Sequence, residues 1–407
     1  MKIRLFNDKK HLSGDLKITG SKSESNRLLI LQALYPSLKV ENLSNSDDTQ
    51  YLKKALTSNE ELIDIHHAGT AMRFLTAYFA SREGREVVLT GSQRMQERPV
   101  KLLVDALKSL GADISYEKKD GYPPLRIKGK RLTENEVKVQ ANISSQYISA
   151  LMLIAPSLPN GLQIDLVGQV TSEPYINMTL KMMKNAGVKG EFSRNKIVIE
   201  PAEKLERKTI SVESDWSSAS YFYSLAAISE TADLKLSTYR EESLQGDCCI
   251  SLIYRQFGVE THYEENSIIL KKTSQKKPRH LSENLIDSPD IAQTIAVTCL
   301  ALGVPCILKG LHTLKIKETD RLLALKIEME KFGSSVKISD DCLELIPQKD
   351  FKENVSVATY NDHRMAMAFA PLAHKVPFEI EDAMVVSKSY PDFWKDLEHL
   401  GFSIEEV

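Results

Sequence analysis

Eight basic residues in this 407-residue chain stand beside clusters of small polar residues: Lys22, Arg27, Arg73, Arg98, Lys317, Arg321, Arg364 and Lys388. The neighbouring clusters are Ser23, Ser25 and Asn26; Gly69 and Thr70; Ser144, Ser145 and Gln146; Asp290; and Asn361 and Asp362. Each cluster precedes a run of small and apolar residues, the pattern of a helix start. Such a start carries unpaired N–H groups and about half a positive charge. Flanked by a guanidinium or an ammonium, it suits phosphate or carboxylate. Taken singly, each cluster also reads as a plain N-cap, and each basic residue as solvated surface. Repetition favours the anion reading. Arg73, Arg321 and Arg364 add to it, because each lies one turn into an apolar-rich segment. An unpartnered guanidinium is costly there, and bidentate pairing to carboxylate or phosphate would satisfy it.

The elements that must position these residues repeat. Six segments pair a polar cluster with a helix, starting at Ser21-Lys22-Ser23, Ala68-Gly69-Thr70, Ile143-Ser144-Ser145, Trp216-Ser217-Ser218, Pro289-Asp290 and Asn361-Asp362. Anchors at 23, 70, 144, 217, 290 and 362 are separated by 47, 74, 73, 73 and 72 residues. A second helix follows each first one, and five of these close on Gly111, Gly187, Gly258, Gly333 and Gly401, the left-handed position past a helix end. Hairpins are expected after four of them, as in 188–200 and 259–270. The N-terminal strands 2–6 and 14–19 could complete the last, truncated unit. The first repeat is about 25 residues short, as its 47-residue spacing against 72–74 elsewhere requires. The reading is an α/β fold of six βαβαββ-type units, three per domain. Residues 1–20 plus 214–407 would form one discontinuous domain, with 21–213 inserted. First helices that are apolar all round belong inside, with sheets outside. Their N-termini would then face a cleft, and the domains would close through crossovers near 20–21 and 213–214.

Composition narrows the classes. With 53 basic and 55 acidic residues the net charge is −2, so nothing global suggests nucleic acid or a membrane surface. The longest nearly apolar stretch, 295–308, is shorter than the roughly 20 residues a bilayer needs. The start MKIRLFNDKK has no apolar signal region, and five cysteines without a CxxC pair suggest free thiols in a reducing, cytoplasmic setting. Adjacent His66 and His67 diverge and make a poor metal site.

Six strings carry a specific resemblance: Gly20-Ser-Lys-Ser-Glu-Ser-Asn-Arg27, Ala68-Gly-Thr-Ala-Met-Arg73, Arg94-Met-Gln-Glu-Arg-Pro99, Ser144-Ser-Gln146, Lys317-Glu-Thr-Asp-Arg-Leu322 and Asn361-Asp-His-Arg-Met-Ala366. In this order they resemble the 5-enolpyruvylshikimate-3-phosphate synthase family of enolpyruvyl transferases, from about residue 14 to 401. The resemblance implies a two-domain inside-out α/β barrel. It also implies transfer of the enolpyruvyl group of phosphoenolpyruvate to shikimate 3-phosphate, with loss of phosphate, by a cytoplasmic monomer needing no metal or organic cofactor. By motif position, Lys22, Ser23, Arg27, Ser144, Ser145, Gln146, Ser172, Tyr175, Asp290, Thr313 and Lys317 would bind shikimate 3-phosphate. Lys22, Gly69, Arg98, Gln146, Arg321, Arg364 and Lys388 would surround phosphoenolpyruvate. Asp290 would act as base and Glu318 as a protonated acid, with Lys22 assisting. Asp290 as a helix cap and Glu318 as an ion-pair partner of Lys317 or Arg321 are the competing readings.

Three positions depart from the family pattern: His67 where Asn is usual, Phe74 where Pro is frequent, and Thr313 where Asn is frequent. With the short first repeat, they leave open the response to glyphosate, the family's competitive inhibitor. Two other readings stand beside this one. A transferase acting on a UDP-linked amino sugar shares the fold but typically uses a mobile-loop cysteine, and the inserted domain has none. A non-catalytic anion-binding relative would lack turnover.

Overall fold

The computed structural model describes residues 1–140, 144–168, 170 and 173–407. The chain divides into two compact units, Gly20–Val212 and Met1–Thr19 with Glu213–Val407. Gly20 begins the inserted unit against the backbone of Asn42, so close that a Cβ would lie 1.9 Å from the Asn42 carbonyl oxygen. Only glycine fits there.

In the unit Gly20–Val212 the helices are α1 (Lys22–Leu34), α2 (Asp47–Thr57), α3 (Gly69–Ala80), α4 (Gln93–Gln96), α5 (Lys101–Ser109), α6 (Ser145–Ile154) and α7 (Glu173–Asn185). The first helices of the repeat, α1, α3 and α6, pack on one another. Every residue of α3 is buried, as its run of apolar and small side chains on all faces demands. Two four-stranded sheets flank this centre. One holds Leu62–Asp64, Glu86–Thr90, Leu125–Lys128 and Asp113–Tyr116; the other holds Gly190–Ser193, Lys196–Ile199, Leu162–Val167 and Glu136–Gln140. Their strands alternate buried and exposed residues, as in Glu136–Gln140, so one face packs and the other meets water. The shortened repeat keeps a single strand, Leu38–Glu41, paired in parallel with Lys208–Ser211. The strand after α2, Leu62–Asp64, pairs instead with Glu86–Thr90 of the next sheet.

The other unit contains α8 (Trp216–Ile228), α9 (Ile250–Tyr254), α10 (Ala292–Leu302), α11 (Arg321–Lys331), α12 (His363–Phe369) and α13 (Phe393–His399). Here α10 packs on α8 and on α12, and the 3-10 turn Ala370–His374 that continues α12 packs on α8. Every residue of α8 and α12 is buried. Small hydroxyl residues let α8 and α10 approach closely. The Ser220 and Thr294 hydroxyls are 2.9 Å apart, and one turn on Thr298 donates to Ser224 at 2.7 Å. The two helices therefore run parallel in fixed register. Three four-stranded sheets surround them.

The N-terminal strands correct one expectation. Ile3–Phe6 does join the last unit, between Phe378–Ile380 and Ser403–Glu406. The second strand is His11–Leu16, not 14–19, and it pairs in parallel with Thr231–Ser237, alongside α8. Pairing so distant in sequence depends on where the chain returns, which no local pattern encodes. The five glycines Gly111, Gly187, Gly258, Gly333 and Gly401 all have positive φ, from 77° to 102°. Each lies within two residues of the end of a second helix or its terminal 3-10 turn, where a left-handed residue closes the last turn.

Candidate active site

In the unit Gly20–Val212 the candidate residues gather at the N-terminal ends of α1, α3 and α6. Arg27 lies one turn into α1 and is 3% exposed. Its guanidinium donates to the Thr179 hydroxyl (2.7 Å), the Ser23 carbonyl (2.9 Å) and the Ser149 hydroxyl (3.1 Å), and sits over the Phe74 ring. All three partners are neutral, and burial lowers its pKa to about 10. Arg73 repeats this on α3, donating to the carbonyls of Gly69 (3.1 Å) and Pro99 (3.3 Å). Burial, and then the like charge of Arg98, lower it also to about 10. Arg98 lies so close that a Cβ on Gly69 would fall 2.5 Å from Arg98 Nη1. Three positive groups thus lie around the starts of α3 and α1, with the carboxylates of Glu24 and Asp48 acting on Arg27 and Arg73. An anion would relieve both their repulsion and their desolvation.

The start of α3 itself differs from the expectation of an open amide nest. Asp48, on α2 and 6% exposed, accepts from the amides of Thr70 (3.4 Å) and Ala71 (3.2 Å) and from the Asn26 side chain (2.9 Å). A carboxylate of the chain already fills this position, which leaves the Arg98 guanidinium against Gly69 as the nearby cation. Asp48 escaped the sequence reading because it looks like one more residue of the Ser46-Asp47-Asp48 cap of α2. No local signal assigns it to another helix. Ser144 caps α6, accepting from the Gln146 amide at 3.4 Å, and the Gln146 side chain donates to Thr70 at 3.3 Å. Lys22 and Ser23 are half-buried at the first turn of α1, and Tyr175 is half-buried on α7. Ser172 lies outside the described residues.

In the other unit Arg321 organises a dense ion cluster. It is 1% exposed at the start of α11 and reaches three carboxylates: Asp362 (2.6 Å), Glu318 (2.8 Å) and Asp290 (2.9 Å). Burial alone would depress its pKa, but the three carboxylates outweigh it and hold the guanidinium charged. Arg364, in the first turn of α12, donates to the Asp290 carbonyl (3.2 Å) and carboxylate (3.1 Å). Lys317 lies 3.6 Å from the same carboxylate. Lys388, at the end of the 3-10 turn Ala383–Lys388, donates to the Asn361 carbonyl at 2.6 Å. Asn361 and Tyr360 both have positive φ, 57° and 54°. Such strain is expected where a loop is forced to aim the following Asp362 and Arg364. Thr313, in the 3-10 turn His312–Ile316, is half-buried, and its hydroxyl has no protein partner among the described residues.

Both residues with competing sequence readings, Asp290 and Glu318, lie in this ion cluster. Neither Ser288 nor Ile291, at the cap positions of Pro289–Ile291 and α10, makes a side-chain cap bond, and Asp290 is gripped by cations from α11, α12 and the Lys317 loop. Glu318 is ion-paired with Arg321. A further carboxylate, Asp247, was not singled out. It lies in Gln245-Gly-Asp247, accepts from Ser217, and burial together with the charge of Asp290 raises its pKa.

His67 lies 3.4 Å from Asp47, and the His66 ring packs 4.7 Å from Tyr51. Among the described residues no group of three His, Cys, Asp or Glu side chains could hold a metal ion. Also among them, no helix is long and apolar enough to cross a membrane.

A family model described as EPSP synthase (3-phosphoshikimate 1-carboxyvinyltransferase) matches residues 51–397. The chain belongs to the EPSP synthase family. Within that family, it is 46% identical over 398 residues to a 3-phosphoshikimate 1-carboxyvinyltransferase of Bacteroides fragilis (strain YCH46), covering 97% of each chain. It is 35% identical over 423 residues to the enzyme of that name from Histophilus somni (strain 2336), covering 96% of this chain and 97% of the other. Among solved structures, an EPSP synthase from Acinetobacter baumannii superposes over the whole of both chains with a TM-score of 0.82 at 19% identity. The enolpyruvyl transferase NikO from Streptomyces tendae superposes with a TM-score of 0.75 at 14% identity, covering 100% of this chain and 99% of the other. At those identities the superpositions speak for the mixed α/β fold, and the EPSP synthase assignment rests on the sequence matches.

Proposed function

We propose that the chain transfers the enolpyruvyl group of phosphoenolpyruvate to the 5-hydroxyl of shikimate 3-phosphate, releasing phosphate, in the pathway to chorismate and the aromatic amino acids. The observation that carries the residue-level reading is the environment of Asp290 in a chain of this family. One carboxylate is held by Arg321, Arg364 and Lys317 at 2.9, 3.1 and 3.6 Å. A carboxylate so placed has charge and position but weak basicity. An incoming carboxylate or phosphate that takes over Arg364 and Lys317 frees Asp290 to accept a proton. The same exchange at Arg321 releases Glu318, which can then carry a proton.

In the addition step Asp290 takes the proton of the 5-hydroxyl as its oxygen bonds to C2 of phosphoenolpyruvate. Glu318, with Lys22, delivers a proton to C3. In the elimination step a proton leaves C3, the C2–O bond to phosphate breaks, and the enol ether remains. Arg98 and Lys388 face the leaving phosphate, and Arg321 and Arg364 the carboxylate. Lys22, Ser23, Arg27, Ser144, Ser145, Gln146, Ser172, Tyr175, Thr313 and Lys317 hold shikimate 3-phosphate. Fixed cations and dipoles aimed at developing charge are the main source of rate in such a site.

The finer architecture belongs to the same proposal. Three buried helices in each unit, with one-sided sheets around them, support an inside-out α/β barrel of six repeats. In it residues 21–213 are inserted into a domain of 1–20 and 214–407. Free cysteines throughout the described chain favour a reducing compartment, and we assign a monomer in the cytoplasm. Asp290→Asn tests the reading. We expect shikimate 3-phosphate binding by calorimetry to persist, while kcat falls by about 10²–10⁴, the usual worth of general acid–base catalysis. Near-normal kcat would remove Asp290 from the base role.

A further inference from the structure

The helices α8, α10 and α12 carry a group of polar atoms that the reaction scheme does not use. Tyr221, Gln293 and Arg364 are 1%, 0% and 9% exposed. The Tyr221 hydroxyl, both polar atoms of the Gln293 amide and Arg364 Nε are buried without a protein hydrogen-bond partner among the described residues. Phenylalanine and methionine would fill the same volumes without desolvating polar groups, and buried polar atoms are rarely left unpaired.

Helix register brings these atoms toward one place. The Ser220–Thr294 and Ser224–Thr298 contacts fix α8 and α10 parallel. Tyr221 follows a contact residue by one position, and Gln293 precedes its partner by one. In parallel right-handed helices those opposite steps of about 100° turn both side chains to the same side of the contact. Their levels along the axes differ by only about 3 Å, at 1.5 Å per residue. The helix α12 packs on α10 as well. Burial raises the Tyr221 pKa above its ordinary range, and among charged groups Arg364 bears on its hydroxyl most strongly, followed by Asp215, Asp362 and Arg321. Arg364 donates to Asp290 through both Nη1 and Nη2, while Nε is buried without a protein partner among the described residues.

We propose that an ordered buried water is bound by the Tyr221 hydroxyl, the Gln293 amide and Arg364 Nε, and that Tyr221 and Gln293 thereby fix the plane of the Arg364 guanidinium beside Asp290. Three hydrogen bonds to mixed donors and acceptors are what an internal water typically makes. The two residues are positioning residues that never touch substrate. Held at Nε as well as at Asp290, the guanidinium presents a constant edge to an incoming carboxylate. This inference rests on the reading of Arg364 as a phosphoenolpyruvate contact.

The test combines a high-resolution crystal structure with kinetics of Gln293→Met, Tyr221→Phe and Arg364→Lys. We expect density for a water within hydrogen-bond distance of all three groups. Gln293→Met and Tyr221→Phe should each raise KM for phosphoenolpyruvate about tenfold, the worth of a hydrogen bond to a charged group, with KM for shikimate 3-phosphate changed less than about twofold. The double variant should be little worse than either single one, because both remove the same water. A direct Tyr221–Gln293 hydrogen bond with no water in the density would overturn the proposal. So would unchanged phosphoenolpyruvate KM in both variants while Arg364→Lys raises it. If Arg364→Lys has no effect, the reading of Arg364 fails instead, and the density alone decides the hydration site. Should Gln293→Met fail to fold, Tyr221→Phe carries the same kinetic readout.

Discussion

At the scale of single residues, the site is a set of charges whose partners decide their roles. Strings such as Lys317–Leu322 and Asn361–Ala366 made the cations legible in the sequence, because a guanidinium inside an apolar run calls for a partner. The partners were less legible. Arg27 pairs with hydroxyls of α6 and α7, Arg73 with carbonyls of its own helix and of Pro99, and Arg321 with three carboxylates, one of them 41 residues away. Asp48 and Asp247 look unremarkable in their own segments and acquire meaning only from what packs on them. Gly69 illustrates a residue whose role is purely spatial. Its Cα approaches Arg98 so closely that a methyl group would lie 2.5 Å from the guanidinium. Gly69→Ala should therefore displace Arg98 and lower kcat/KM for phosphoenolpyruvate by about tenfold or more, since small misplacements near a reacting group have large effects. Saturation by shikimate 3-phosphate should be preserved. Unaltered phosphoenolpyruvate kinetics in that variant would mean Arg98 moves aside without consequence.

At the scale of elements, the helix starts and stops followed from local chemistry. Polar clusters marked the starts of the six first helices, and glycine marked the end of five second ones. Strand partnership did not follow, as His11–Leu16 shows by pairing with Thr231–Ser237. Nor did the cross-helix cap of α3. Because Asp48 satisfies two orphan amides of α3 and the Asn26 side chain together, its loss should cost more than an ordinary cap. Asp48→Ala is expected to lower unfolding free energy by about 2–4 kcal/mol, a cap of about 1–2 plus a buried amide left unpaired. Chemical denaturation measures this directly, and a loss below about 0.5 kcal/mol, the level of an ordinary surface change, would show that α3 is capped by other means.

For the molecule as a whole, pH dependence of stability follows from buried histidine. His374 ends the turn after α12, contacts the Ser229 hydroxyl at 2.9 Å and stacks on Phe402. Burial, then the charge of Lys375, lower its pKa to about 4 from the ordinary 6.5. The folded protein thus holds this ring neutral where the unfolded chain binds a proton. Its contribution is complete above pH 6.5 and is lost as pH falls toward 4. The melting temperature should drop over that window, and less steeply in His374→Gln; identical profiles for the two proteins would exclude the histidine as a cause. The first repeat is shortened to the strand Leu38–Glu41, paired with Lys208–Ser211. The decisive measurement is release of phosphate by the purified chain given phosphoenolpyruvate and shikimate 3-phosphate, beside a control with unphosphorylated shikimate. One phosphate per enol ether formed is expected, with far slower release in the control. No release with both substrates present, while shikimate 3-phosphate still binds, would contradict the proposed transfer.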